Sequence, residues 1–235
     1  MTAVITGAAG GIGLALAEAL HARGEQLVLT DIKAAVLTEV ATRLGATAVP
    51  ADVADPEAMA ALAERVPHAR TVCLNAGILG QSLGAPWEVP PEDWDRVFAV
   101  NVAGVVNGLR AFVPRLLAAG EPARVLITAS LAGLAVFPGG GAYGPAKHAV
   151  TALATHAAMA LADTPVRVTM LCPALVATGI SAEGVPPSAV AAEALRAMDE
   201  GRFTVTPPEW HGAVVRQAGQ RVAGEVPGVP SPVLD

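Results

Sequence analysis

The sequence predicts an α/β protein, a single doubly wound parallel sheet of about seven strands with helices on both faces, in the Rossmann manner. Three observations lead there. Short β-like apolar runs alternate with longer helix-patterned stretches along most of the chain. No repeat or linker interrupts that alternation, and 235 residues suit one α/β domain spanning 1–235. Polar or glycine-rich signals stand just past the ends of the runs, on the edge where an open parallel sheet binds its ligands.

The first strand, "TAVIT", leads through "TGAAGGIG" into a helix over residues 11–23. Glycines there let the backbone approach a pyrophosphate, and a helix N-terminus attracts its negative charge. Gly7, Gly10, Gly11, Ile12 and Gly13 are therefore candidate cofactor contacts. Their spacing is G-x-x-x-G-x-G, not the commoner G-x-G-x-x-G, and alone it also suits an ordinary tight turn. The second strand, "QLVLT", ends at Asp31 and Ile32, with Asp31 18 residues beyond Gly13. A carboxylate at that place can accept hydrogen bonds from a ribose diol. Asp31 can equally cap the next helix, over residues 34–44. The Gly-rich loop has no basic residue to receive a 2′-phosphate, although Lys33 is near, so NAD(H) is favoured over NADP(H).

The third run, "ATAVPA", runs into Asp52 and Val53, and Asp55–Pro56 forms a cap and first-turn pair for a helix. The fourth, "RTVCL", meets Asn75, Ala76 and Gly77, then a long loop and a helix entered at "PPEDWD", whose acids suit a helix N-terminus. The fifth, "RVLITA", ends at Ser130, and the helix after it carries Tyr143 and Lys147. The sixth, "VRVTML", opens into a longer connection containing Pro173, Val176 and Thr178, then a helix near residues 188–200. "RFTVT" is the last strand. The tail from residue 224, rich in proline and glycine, is expected to be irregular.

Tyr143 is the only tyrosine in the chain, and Lys147 stands four residues on, on the same helical face. Pro145 fits if this is the first turn, where N–H groups lack intrahelical partners. A phenol with a pKa of about 10 is a poor base at neutral pH, and a neighbouring ammonium lowers that value. Ser130 ends its strand 13 residues earlier and can place a hydroxyl beside the phenol. In isolation Y-x-x-x-K is usually no more than a helix face.

Composition removes other classes. A net charge of −6 and scattered arginines leave no basic patch for nucleic acid or anionic membrane. Residues 125–146 carry no charge over 22 positions, but "PGGG" and a strand-like first half argue against a membrane span. The Gly-rich motif begins too early for a cleavable leader. Five scattered histidines offer no metal-ligand spacing, so no metal is expected. The two cysteines end the fourth and sixth strands, about 10 Å apart, too far for a disulfide, which needs about 7 Å or less. Free thiols and a cytoplasmic location follow.

Taken together, "TGAAGGIG", Asp31, "ADV", "NAG", Asn101, Ser130, "YGPAK" and "CPALVAT", in that order, resemble the short-chain dehydrogenase/reductase family over nearly all of the first 180 residues. The resemblance implies Tyr143 as acid/base, with Lys147 lowering its pKa and binding the nicotinamide ribose. It implies that Ser130 orients the substrate oxygen and that Asn101 completes a proton relay through water. Asp52 and Val53 would flank the adenine, "NAG" would be mainly structural beside the cofactor, and Thr178 would hold the carboxamide after Pro173. Ala174 departs from the glycine usual after that proline. Two other readings stay open: a carrier-protein-linked 3-oxoacyl reductase of the same family, and a dinucleotide-binding sensor or scaffold without chemistry.

The region of about 174–235 is expected on the substrate side. Pocket-lining segments 78–87, 131–137 and 174–187 are nearly uncharged, which predicts a mainly apolar secondary alcohol or ketone. Arg202 and Arg216 are the two arginines that could fold back over the mouth. The helices over residues 91–119 and 142–162 are apolar on more than one face, so a homodimer or homotetramer is expected.

Overall fold

The computed structural model describes residues 1–179 and 182–232. Its strands are β1 (Thr2–Thr6), β2 (Gln26–Thr30), β3 (Thr47–Ala48), β4 (Ala69–Leu74), β5 (Ala123–Thr128), β6 (Val166–Leu171) and β7 (Thr204–Val205). They form one sheet in the order β3-β2-β1-β4-β5-β6-β7, and every pairing is parallel. The order reverses between β1 and β4, and that reversal opens the crevice at the C-terminal edge.

The helices are α1 (Gly11–Ala22), α2 (Ala34–Leu44), α3 (Pro56–Arg65), α4 (Pro91–Phe98), α5 (Gly104–Ala119), α6 (Tyr143–Ala160), α7 (Pro187–Asp199) and α8 (His211–Val222). Strand residues alternate between two cores. Val4, Val72, Val125 and Ile127 face α3, α5 and α6, where they meet Met59, Phe112 and Val150. Ile5, Cys73, Leu126 and Leu171 face α1, α2 and α7, against Leu16, Leu37 and Leu195. Each such fully buried large side chain stabilises the fold by about 1.5–3 kcal/mol before entropy is counted.

Local signals explain the element boundaries. Asp55 caps α3 by accepting from the Glu57 and Ala58 N–H groups, with Pro56 in the first turn. Three expectations need correction, and one further helix goes beyond them. The third strand shrinks to Thr47–Ala48. Asp31 is not the cap of α2; Lys33 holds that position, and the Asp31 side chain instead accepts from the Lys33 N–H at 3.0 Å. The helix over 91–119 is not uniform, because a π turn at Ala99–Ala103 separates α4 from α5. The helix α8 lies inside a region read only as substrate-side loop, helix and tail.

The uncharged stretch 125–146 divides among β5, a 3-10 turn (Leu131–Gly133), a loop and the start of α6. The helix Pro91–Ala119 is long and apolar enough to cross a bilayer. Its Val105, Phe112 and Leu116 are nonetheless buried in the core. Both cysteines are free and buried, Cys73 on β4 and Cys172 just past the end of β6.

At the N-terminal edge, Arg124 on β5 reaches Glu25 at 3.1 Å, Asp199 at 2.7 Å and the Thr71 hydroxyl at 3.0 Å. That edge is tied by charge. The opposite edge holds the loops with candidate chemistry.

Candidate active site

Gly13 lies where α1 passes the end of β1. A Cβ there would stand 2.1 Å from the Gly7 carbonyl oxygen and 2.7 Å from Asn75 Nδ2, so only glycine allows this packing. Gly10, by contrast, is exposed, and a Cβ added to it would meet nothing within 4 Å. The open space before the α1 N-terminus, beside half-buried Gly11 and Ile12, suits a pyrophosphate. Thr178 approaches from the far side, its Cγ2 3.2 Å from where a Gly11 Cβ would be.

The Asp31 carboxylate is oriented by two backbone donors, the Ala9 N–H at 3.1 Å and the Lys33 N–H at 3.0 Å. Each oxygen keeps acceptor capacity for a diol. Ile32 beside it is 69% exposed, an apolar surface on the same rim. Asp52 is exposed and accepts from the Ala54 N–H at 2.9 Å, while Val53 is buried against Gly104.

Asn75 is a structural knot. Its Nδ2 donates to the Thr6 carbonyl at 3.1 Å, and its Oδ1 accepts from the Thr128 hydroxyl at 3.0 Å. The Thr6 hydroxyl accepts from the Asn75 and Ala76 N–H groups at 2.8 and 3.0 Å. Three strand ends, of β1, β4 and β5, are thus fixed together, as the reading of "NAG" expected. Thr6 and Thr128 were not singled out by the sequence, where they read as strand residues.

Asn101 is fully buried in the π turn, and its amide pairs with one backbone residue. Oδ1 accepts from the Ile78 N–H and Nδ2 donates to the Ile78 carbonyl, both at 2.8 Å. A Cβ on Gly77 would lie 3.0 Å from Asn101 Oδ1 and 3.4 Å from Lys147 Nζ. Gly77 therefore marks the point where Asn101 and Lys147 converge.

Tyr143 opens α6, half-buried, with the Ser130 hydroxyl close enough to act on its phenol. Ser130 Oγ also accepts from the Ala132 N–H at 3.1 Å, which fixes its rotamer. Lys147 is 3% exposed, donates from Nζ to the Thr128 carbonyl at 2.9 Å, and stands 5.6 Å from the Tyr143 ring centroid. The expected lowering of the phenol is not seen here. Burial holds Tyr143 above the usual tyrosine value, offset only in part by Ser130. Lys147 points its charge at Thr128, and burial pushes its own pKa down to about 8.

Pro173 accepts from the Leu131 N–H at 2.9 Å, which joins the end of β6 to the Ser130 turn. Val176 is buried and bridges Val185, so the connection after β6 folds back on itself. Ile180 and Ser181, within the expected pocket segment 174–187, lie outside the described residues. Arg202 does not cover the mouth; Glu193 and Glu200 engage it at 2.8 and 2.6 Å. Arg216 is exposed on α8.

Two further residues escaped the sequence reading. Asn107 donates to the Val53 and Ala54 carbonyls at 3.0 and 3.2 Å, holding the loop after β3. Asp93 reads as a helix-start acid but turns inward. It accepts from the Gln81 N–H at 2.8 Å, the Ser82 N–H at 2.7 Å and Arg96 at 2.9 Å. These bonds, the one from Ser82 first, hold its carboxyl below the usual carboxylate range.

A sheet with this switch point, a Gly-rich first turn and a Ser–Tyr–Lys cluster at the same edge define a nucleotide-dependent oxidoreductase class. Comparison with known proteins agrees. The short chain dehydrogenase family model matches residues 1–187. The chain is 42% identical over 196 residues to 1-deoxy-11-beta-hydroxypentalenate dehydrogenase of Streptomyces avermitilis, covering 79% of this chain and 72% of that one. It is 39% identical over 187 residues to 2-(R)-hydroxypropyl-CoM dehydrogenase of Xanthobacter autotrophicus, covering 75% and 74%. A Burkholderia phymatum short chain dehydrogenase/reductase in complex with NAD superposes with a TM-score of 0.91 at 31% identity, covering 98% and 97%. A Sphingobium yanoikuyae short-chain dehydrogenase in complex with NADPH gives 0.81 at 26% identity, covering 98% of each chain. The chain belongs to the short-chain dehydrogenase/reductase family, oxidoreductases that act on CH–OH groups with a nicotinamide dinucleotide.

Proposed function

We propose that this protein is an NAD(H)-dependent dehydrogenase/reductase that interconverts a mainly apolar secondary alcohol and its ketone, with Tyr143 as acid/base. The meeting of Lys147 and Asn101 at Gly77, with the Lys147 ammonium 5.6 Å from the Tyr143 ring, carries this reading. Gly7, Gly10, Gly11, Ile12 and Gly13 would hold the pyrophosphate. Asp31 and Ile32 would hold the adenosine ribose, Asp52 and Val53 the adenine, and Ala76, Gly77, Pro173, Val176 and Thr178 the nicotinamide side. A nicotinamide dinucleotide held by these residues would supply the hydride chemistry.

The residues move the proton. Ser130 donates to the substrate oxygen and aligns it with the phenol. Tyr143 takes the hydroxyl proton in oxidation and returns it in reduction. Lys147 in its ammonium form stabilises the phenolate, and Asn101, beside it at Gly77, extends the route toward solvent. The Asp31 carboxylate, placed by Ala9 and Lys33, would repel a 2′-phosphate, which favours NAD(H). Segments 78–87 and 131–137, with the region from residue 174 onward, would form the substrate side. We read the protein as a cytoplasmic homodimer or homotetramer, supported by two free buried thiols and by exposed Leu117 on α5 and Met159 on α6.

Tyr143→Phe tests the chemistry. General acid/base work of this kind contributes about 10²–10⁴-fold, so the variant should lose that much activity while folding and NADH binding stay nearly intact. Retention of more than roughly a tenth of wild-type activity would assign the proton transfer to another group.

A further inference from the structure

Gln217 is 3% exposed, in the second turn of α8, whose neighbouring Arg216 is in solvent. Burying an amide is unfavourable unless its donors and acceptor are matched. Here they are. Oε1 accepts from the Val136 N–H at 2.7 Å, and Nε2 donates to the Val136 carbonyl at 2.9 Å and the Gly228 carbonyl at 3.2 Å. The side chain therefore engages both backbone groups of one residue, as a neighbouring strand would.

Val136 belongs to the segment that starts at Ser130. The near end of that segment is fixed at the site, because a Cβ on Gly133 would lie only 2.4 Å from the Lys147 carbonyl oxygen. Its far end is fixed by Gln217. Next to Val136, Phe137 meets Trp210 edge-on, with centroids 5.7 Å apart at 69°. Among the described residues, no side chain of α8 joins either large core cluster. Besides buried Ala213, the helix is tied to the segment after Ser130 by this clasp, and by the aromatic contact of Trp210 in the turn just before it.

We propose that Gln217 is a specificity-determining positioning residue: it clasps α8 to Val136 so that Phe137 and Trp210 form a fixed wall for the bulky apolar body of the substrate. The proposal rests on the reading of Tyr143 above and names the substrate class more closely. A fixed wall selects ketones and alcohols large enough to reach it. Gln217 touches neither the proton-transfer groups nor the cofactor cradle.

Gln217→Leu keeps the side-chain size and leaves both Val136 backbone groups unpaired. Kinetics with NADH would be compared on a small ketone, butanone, and a bulky one, 1-tetralone. The ratio of kcat/KM for 1-tetralone over butanone should fall about 10-fold, the scale of a small misfit in an apolar pocket, mainly through KM. NADH binding, read by fluorescence, should be unchanged. A variant that is merely less folded loses rate on both ketones alike, so an unchanged ratio overturns the proposal. Should Gln217→Leu fail to fold, Trp210→Ala leaves the clasp and removes the wall; an unchanged ratio there overturns it equally. Amide exchange at Val136 gives a readout independent of any substrate: loss of protection in Gln217→Leu supports the clasp, and full protection refutes it. Failure of the underlying site reading looks different, since Tyr143→Phe would then stay active on both ketones.

Discussion

Lys147 is the residue at which stability and chemistry oppose each other. Its ammonium is buried with one hydrogen bond, to Thr128, and burial lowers its pKa from 10.5 to about 8. The unfolded chain therefore holds this proton to a higher pH than the folded one. Stability contributed by this group rises as pH increases from about 8 toward 10.5, and below that window the buried charge is a cost. Lys147→Met should accordingly raise stability at pH 7 by on the order of 2 kcal/mol, reduced by the lost bond to Thr128, with the gain shrinking toward pH 10. Urea melts at the two pH values check this; a variant destabilised equally at both would show that packing and hydrogen bonding outweigh desolvation. Activity should be lost in either case. Asp31 makes a different prediction. With serine in its place the repulsion of a 2′-phosphate disappears, and the preference for NADH over NADPH should narrow by about 10-fold, roughly 1.4 kcal/mol. Wild-type kcat/KM equal or better with NADPH would overturn the cofactor reading.

Among the elements, α4 shows most clearly what a local reading misses. Its N-terminal acids fit the helix dipole, so the sequence pattern is right about the helix and silent about Asp93. That carboxylate fixes the turn at Gln81 and Ser82, and the same loop continues into a bridge between Gly84 and Gly140, just ahead of Tyr143. Asp93→Ala strands two backbone donors and should cost about 1–3 kcal/mol of stability. It should also raise KM more than it lowers kcat, a split that steady-state kinetics resolves; an unchanged KM would confine Asp93 to the fold. Strands, most helices and the Gly-rich turn are legible because periodicity and capping are local properties. The π turn, the inward turn of Asp93 and the clasp at Gln217 depend on partners 11 to 81 residues away, beyond a window of a few helical turns. Gly7, Asp31, Asn75 and Ser130 were legible for another reason: each stands just past a strand, and parallel strands deliver their ends to one edge, whereas Asn101, inside a helix, was legible only through the family resemblance.

For the molecule as a whole, the two sheet edges divide the labour. Arg124 and its acidic partners lock the N-terminal edge, and the opposite edge carries every candidate site residue. The outer face of α3 and α5 holds a groove of about 390 Å³ lined by Ala60, Arg110, Ala111, Pro114, Arg115 and Ala118. Met159, near the end of α6, is 73% exposed. Apolar surface of this kind is expected to be covered by a second copy of the chain. Sedimentation at micromolar concentration should report a dimer or tetramer; a stable species of 23.6 kDa would contradict it.

The π turn at Ala99–Ala103 also limits how this chain can change in length. It splices two registers into one 29-residue helix. On the upstream side Asp93 addresses the loop, and on the downstream side Phe112 fills the core. Deleting one residue from the splice would rotate one half against the other by about 100°, because an α-helix advances 3.6 residues per turn. Asp93 and Phe112 could not then both keep their partners, and Asn101 would swing away from Ile78. Substitutions along this helix can be absorbed one at a time, whereas its count of residues is fixed by the site it passes.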